Sequence, residues 1–160
     1  MKTLILLRHA KSSWELNVAD RNRPLSESGI DRIKRIAKLN ASIFENAIIY
    51  SSPANRALHT ACIMMHKLKI PFDCLRVTES LYTFDSTNVI NFIRNLPDEL
   101  NHVVCVGHNP AFTYTAMVLS NITFDNLPTS GWVKMEFQQD RWSKIQNGIA
   151  KLGLPKEILT

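Results

Sequence analysis

The sequence predicts a three-layer α/β/α fold with a largely parallel central sheet, and three observations carry that expectation. Short apolar runs at residues 4–7, 47–50 and 102–106 are each bounded by polar or breaking residues, the pattern of strands buried on both faces. Segments of helical period lie between them. Each run also ends where chemistry begins, at Arg8 and His9, at Ser51-Ser52-Pro53, and at Gly107-His108-Asn109-Pro110. In open α/β sheets the carboxyl ends of the strands are where ligands sit.

Taken in order, the first strand leads into a polar stretch, residues 15–24, whose composition suits a surface loop. Ser26 is placed to cap a helix with Ile30, Ile33, Ile36 and Ala37 on its inner face and Arg32, Lys34, Arg35 and Lys38 outward. The second strand feeds another helix through Ser51-Ser52-Pro53. Pro53 fits its first turn, Ala57, Leu58, Ala61, Met65 and Leu68 keep its period, and Arg56 lies one turn in. An anion fits the free N–H groups at such a junction. Residues 71–78 alternate imperfectly, as a third strand would, and Ser86 or Thr87 opens a helix running to Leu96. Residues 111–119 form an apolar helical segment after the Gly107-His108 break, repeating the arrangement at Arg8 and His9. Residues 131–137 read as a last strand, and the tail from Gln138 has no clear period, suiting an edge strand or a loop.

The 160 residues are expected to form one domain, 1–160, long enough to bury roughly two-thirds of the unfolded chain's surface. Cys62, Cys74 and Cys105 are odd in number and lie within apolar segments, which points to buried thiols in a reducing compartment and a cytoplasmic location. No stretch approaches the roughly 18 apolar residues of a membrane span. The net charge of +5 is dispersed among mixed charges, which argues against nucleic-acid binding and for attraction of an anionic small molecule or phosphoprotein. His59, Cys62 and His66 share a helical stripe. A zinc site is not read there, because His59 and His66 stand two turns apart and no fourth ligand is at hand; neither metal nor cofactor is expected.

Three strand ends thus bring two histidines and two arginines to one sheet edge. The blocks R-H-A-K-S-S-W at 8–14, R-P-L-S-E-S-G at 23–29, S-S-P-A-N-R-A-L-H-T-A at 51–61 and V-G-H-N-P at 106–110 resemble the histidine phosphatase superfamily, the phosphoglycerate-mutase-like enzymes, and within it the SixA-type phosphohistidine phosphatases. The resemblance runs from residue 1 to about 115. It implies a phosphoglycerate-mutase-like fold in which His9 is the phosphorylated nucleophile and Arg8, Arg56 and His108 clamp the phosphoryl group. It matches Ser12 to a serine that bonds the phosphate, while the asparagine that follows the tryptophan in mutase-type members is here Glu15. Larger members carry an acid that protonates an alkoxide leaving group. Glu79 falls in about that segment, with Asp85 a further candidate, and on the sequence Glu79 reads equally as a surface carboxylate at a strand end.

Two guanidinium forks and an imidazole suit a phosphoryl group whose charge sits on three oxygens, without metal. His9 has to attack as a neutral ring, with its other nitrogen donating to a backbone carbonyl. The leading expectation is a phosphatase acting on a protein that carries phosphohistidine, a phosphotransfer or phosphocarrier protein, and releasing inorganic phosphate. The alternatives are a phosphatase of small phosphomonoesters or phosphoanhydrides and, from another class, a non-catalytic phosphoprotein-binding module.

Overall fold

The computed structural model describes residues 1–160. Six strands form one sheet: β1 (Lys2–Arg8), β2 (Ile48–Ser51), β3 (Leu75–Val77), β4 (His102–Gly107), β5 (Trp132–Phe137) and β6 (Ile149–Gly153), in the order β3-β2-β4-β1-β5-β6. The first four of that order run parallel, and β5 and β6 add an antiparallel edge. β1 and β4 sit centrally, with Arg8 level with Gly107, so the residues that follow each strand, His9 and His108, emerge side by side.

Alternation along the two central strands builds the layers. Leu4, Leu6, Val103 and Cys105 face one core, while Ile5, Leu7, Val104 and Val106 face the other. The first core is closed by α4 (Ser86–Arg94) and α5 (Ala111–Leu119) through Val89, Ile93, Phe112 and Leu119. The second is closed by α1 (Glu27–Leu39) and α3 (Asn55–Leu68) through Ile33, Ile36, Ala61 and Met65. Short helices α2 (Ala41–Phe44) and α6 (Pro155–Ile158) complete the set.

Several boundaries differ from the sequence expectation, each for a local reason. Ser26 caps α1 as expected, its Oγ accepting from Gly29 N at 3.0 Å. Gly29 is needed because a Cβ there would lie 2.2 Å from the Lys11 carbonyl oxygen, where the helix start abuts the chain leaving β1. α3 begins at Asn55, two residues after Pro53, because Ser52 Oγ first closes a turn by accepting from Ala54 N at 3.2 Å. In α4 the cap is Asp85, whose carboxylate accepts from Thr87 N at 2.8 Å. The tail is an edge strand followed by a short helix; β6 alternates exposed and half-buried residues, but Ile149 holds an exposed position, which is why the sequence shows no readable period there.

Candidate active site

A cavity of about 300 Å³ opens at the carboxyl ends of β1 and β4, lined by Arg8, His9, Ser12, Asp20, Arg23, Arg56 and His108 together with Lys11, Trp14, Phe84, Asn109 and Thr129. The side chains expected at the site, Arg8, His9, Ser12, Arg56 and His108, are therefore brought together. Glu79 and Asp85 are not among them.

His9 is 6 % exposed and its Nδ1 lies 2.7 Å from the Ala10 carbonyl oxygen. A carbonyl only accepts, so Nδ1 carries the proton and Nε2 is left with its lone pair. Burial lowers the pKa of His9 to about 4, and the charges of Arg56, Arg8 and Arg23 push the same way against the pull of the Ala10 carbonyl. The ring is neutral at pH 7. His108, 1 % exposed, stands with its ring centroid 5.3 Å from that of His9. Burial lowers it to about 3, with repulsion from His9, Arg56 and Arg8 outweighing the attraction of Asp20. Its Nε2 lies 2.8 Å from Ser52 Oγ, while its buried Nδ1 has no partner. Because Ser52 Oγ already accepts from Ala54 N, a Ser52 hydroxyl that donates to Nε2 leaves Nδ1–H as a free donor.

Three arginines surround these rings. Arg8 Nη1 donates to the Leu127 carbonyl at 2.8 Å and its buried Nε is unpartnered. Arg56, 1 % exposed, donates from Nη1 to the Asp20 carbonyl at 2.7 Å and from Nη2 to Asp20 Oδ2 at 3.0 Å, with Nε also unpartnered. Arg23 donates from Nη1 to Ser12 Oγ at 2.5 Å, and its guanidinium carbon lies 3.6 Å from the centre of the exposed Trp14 ring. An anion with three equatorial oxygens suits such buried, unsatisfied donors, since burying cationic forks without one leaves desolvation uncompensated.

Asp20, Arg23 and Ser52 were not singled out as site residues from the sequence, nor was Tyr82, which donates to Asp20 Oδ2 at 2.6 Å. A clue to Arg23 was present: it opens the R-P-L-S block at 23–29. Asp20 and Ser52 act through contacts that span 36 and 56 residues and leave no periodic trace. The loop from Ser12 to Leu25 is pinned at its base by a bridge between those two residues and by Ser13 N donating to the Pro24 carbonyl at 2.8 Å, which carries Asp20 and Arg23 over the cavity.

The two acid candidates, Glu79 and Asp85, stand outside the lining of the cavity. The Glu79 carboxylate is an exposed partner of Arg21, and that hydrogen bond holds its carboxyl below the usual range. Asp85 is spent on capping α4. The segment after α5 does serve the site: Leu127 supplies the carbonyl that holds Arg8, and Ser130 N approaches the carbonyls of Arg8 and His9 at 3.1 and 3.2 Å. On α3, His59 and His66 are exposed and Cys62 is partly covered. No helix is long and apolar enough to cross a membrane.

Comparison with known proteins gives a consistent picture. Residues 4–81 match the model of the histidine phosphatase superfamily, branch 1. An uncharacterised Mycobacterium tuberculosis protein is 28% identical over 158 residues, covering 91% of this chain and 96% of its own length. An uncharacterised chloroplastic Arabidopsis thaliana protein is 29% identical over 130 residues, 74% of this chain and 59% of its own. Among solved structures, the protein histidine phosphatase SixA complexed with tungstate superposes with a TM-score of 0.81 at 22% identity, over 98% of this chain and 99% of that one. An Agrobacterium tumefaciens protein assigned by name to phosphohistidine phosphatase SixA gives 0.72 at 26%, over 94% and 99%. A mycobacterial glucosyl-3-phosphoglycerate phosphatase gives 0.70 at 14%, over 96% and 98%.

Proposed function

We propose, from the match of residues 4–81 to the histidine phosphatase superfamily and the likeness to SixA structures, that the chain hydrolyses phosphohistidine carried on a protein, through a phosphorylated His9. In the first step His9 Nε2 attacks phosphorus while the Nδ1–H···O=C bond to Ala10 holds the ring in the attacking tautomer. Arg8, Arg56 and His108 Nδ1–H meet the oxygens on which charge accumulates, and Arg23 supports them through Ser12. In the second step water attacks phospho-His9 and releases inorganic phosphate, returning His9 to its neutral form.

The observation that carries the choice of substrate is the state of the nearby carboxylates. Asp20 alone lines the cavity. Burial works against its ionisation, but hydrogen bonds from Tyr82 and Arg56 and the charge of Arg23 hold its carboxyl below the usual range. Neither Asp20 nor Glu79 is poised to protonate an alkoxide. A protonated phosphoimidazole, by contrast, departs as a neutral ring and needs no acid from the enzyme. Trp14 and Phe84, 78 % and 51 % exposed at the rim, further suit a phosphoryl group presented on a protein surface. The fold likeness to a phosphatase named for a small phosphoester supplies the competing reading, turnover of a small phosphomonoester.

The deciding measurement is phosphate release in excess EDTA by wild type and His9→Ala, with a phosphohistidine protein and a phosphomonoester offered side by side. Wild type is expected to release phosphate chiefly from phosphohistidine, and His9→Ala from neither. A preference for the monoester would favour the small-molecule reading, and silence on both would favour a phosphoprotein-binding module.

A further inference from the structure

We propose that Asp20 accepts a hydrogen bond from the N–H of the departing substrate imidazole, and so selects a histidine-borne phosphoryl group over a phosphoester. This deepens the function proposed above and rests on it. The argument begins with depth. His9 is 6 % exposed, whereas the Asp20 side chain is 44 % exposed in the same cavity. The nucleophile is at the floor and the carboxylate is at the mouth. Displacement at phosphorus is roughly in line, so a leaving group opposite His9 lies towards the mouth, on the Asp20 side.

The two carboxylate oxygens are unequally engaged. Oδ2 accepts from Tyr82 Oη at 2.6 Å and from Arg56 Nη2 at 3.0 Å. Oδ1 has only Arg23 Nε, at 3.5 Å, and retains room for a further donor, since an ionised carboxylate offers about four lone-pair positions. The charged and titratable groups that face Asp20 are Arg23 on its own loop, Arg56 on α3, Tyr82 ahead of α4 and His108 after β4; its neighbour Arg21 is taken by Glu79. None of these donors is a substitute for a substrate N–H at Oδ1.

In the transfer step the substrate ring starts protonated on the nitrogen remote from phosphorus. The lone pair of His9 Nε2 forms the new P–N bond. The old P–N bond breaks with its electron pair returning to the substrate nitrogen, so the ring leaves neutral, still holding the remote proton that Asp20 faces. No proton is created or lost. The arrangement mirrors the enzyme's own ring, where His9 Nδ1–H faces the Ala10 carbonyl. An alkoxide has no such N–H and would build negative charge beside the Asp20 carboxylate, so the same group disfavours phosphoesters.

The test compares kcat/KM for a phosphohistidine protein with that for p-nitrophenyl phosphate, whose leaving group needs no donor, across a range of pH. Asp20→Asn is expected to lower both rates, because Arg56 loses its partner, but to lower the phosphohistidine-to-aryl ratio by about tenfold, the weight of one charge-assisted hydrogen bond. It should also move the alkaline limb of phosphohistidine turnover to lower pH, since the substrate imidazolium is no longer stabilised. Tyr82→Phe should move that limb the opposite way, because the carboxylate loses a competing donor. The residual aryl phosphatase rate reports that each variant has folded. Equal falls on both substrates with an unmoved limb would leave Asp20 merely holding Arg56 and Arg23, and would overturn the proposal. A wild type inactive on phosphohistidine would instead remove the proposed function itself.

Discussion

The ends of β1 and β4 are two versions of one device. Each strand is buried on both faces, each stops at a sheet edge, and each delivers a histidine whose proton affinity is lowered first of all by burial. They differ in what holds the second ring nitrogen. His9 is locked by a backbone carbonyl, which can only accept, whereas His108 is held by the Ser52 hydroxyl, which can donate or accept. A ring with a fixed tautomer suits a nucleophile that must present the same lone pair at every turnover. One against a hydroxyl can pass between neutral donor and cation as a phosphoryl group arrives and leaves.

Substitution of the two rings should break the likeness most sharply. His9→Ala is expected to lower kcat by about 10⁴ or more and to abolish the phosphoenzyme. His108→Ala should cost about 10²–10³, the range for losing one donor to a developing anion, while quenching in alkali, which spares the acid-labile P–N bond, still detects phospho-His9 by mass. A phosphoenzyme in His9→Ala, or none in His108→Ala, would reverse the assignment of the two roles.

Ser52→Ala tests what separates the holders. It removes the partner of His108 Nε2 and leaves the His9 lock intact, so kcat should fall about tenfold with the phosphoenzyme still forming. An unchanged rate would mean that the hydroxyl only closes the turn before α3. Acid should expose what the two rings share. Their folded pKa values, about 4 and about 3, lie below the unfolded value of roughly 6.5. Between those limits the unfolded chain binds protons the folded one excludes, so stability falls as pH drops below about 6.5. The loss is on the order of 1–2 kcal/mol per histidine by pH 5. Urea unfolding of wild type and His9→Gln at pH 7 and pH 5 reads it, with a smaller difference expected for the variant.

The smallest effect is expected at Glu79. Its carboxylate is exposed and paired with Arg21, and exposed pairs are worth little. Glu79→Gln should leave turnover of phosphohistidine and of aryl phosphate within about twofold of wild type. A selective loss on phosphoesters would restore Glu79 as an acid and reopen the small-molecule reading.

Much of the site was legible because chemistry and periodicity coincide along the chain. Arg8 and His9 interrupt an apolar run, Arg56 follows a strand-to-helix junction, and His108 sits behind Gly107, where a Cβ would lie 2.6 Å from the Phe112 ring and bar the close packing of α5. Helix α1 was readable from Ser26 and the isoleucines spaced after it, and α5 from its apolar length. Asp20 and Tyr82 were not readable, because a polar residue in a loop looks the same whether it faces water or bonds to a residue 62 positions away.

By itself, then, the chain determined its buried strands and main helices, which follow from local periodicity, and the abrupt polar breaks at Arg8-His9, Ser51-Ser52-Pro53 and Gly107-His108, to which the family resemblance added the roles expected of His9, Arg8, Arg56 and His108. Tertiary structure alone decided that β5 and β6 turn antiparallel, that Glu79 is bound to Arg21 away from the cavity, and that Asp20 stands at the cavity mouth. Strand direction at an edge and the partner of a loop carboxylate depend on which distant groups meet when the layers close, and no short-range pattern encodes that meeting.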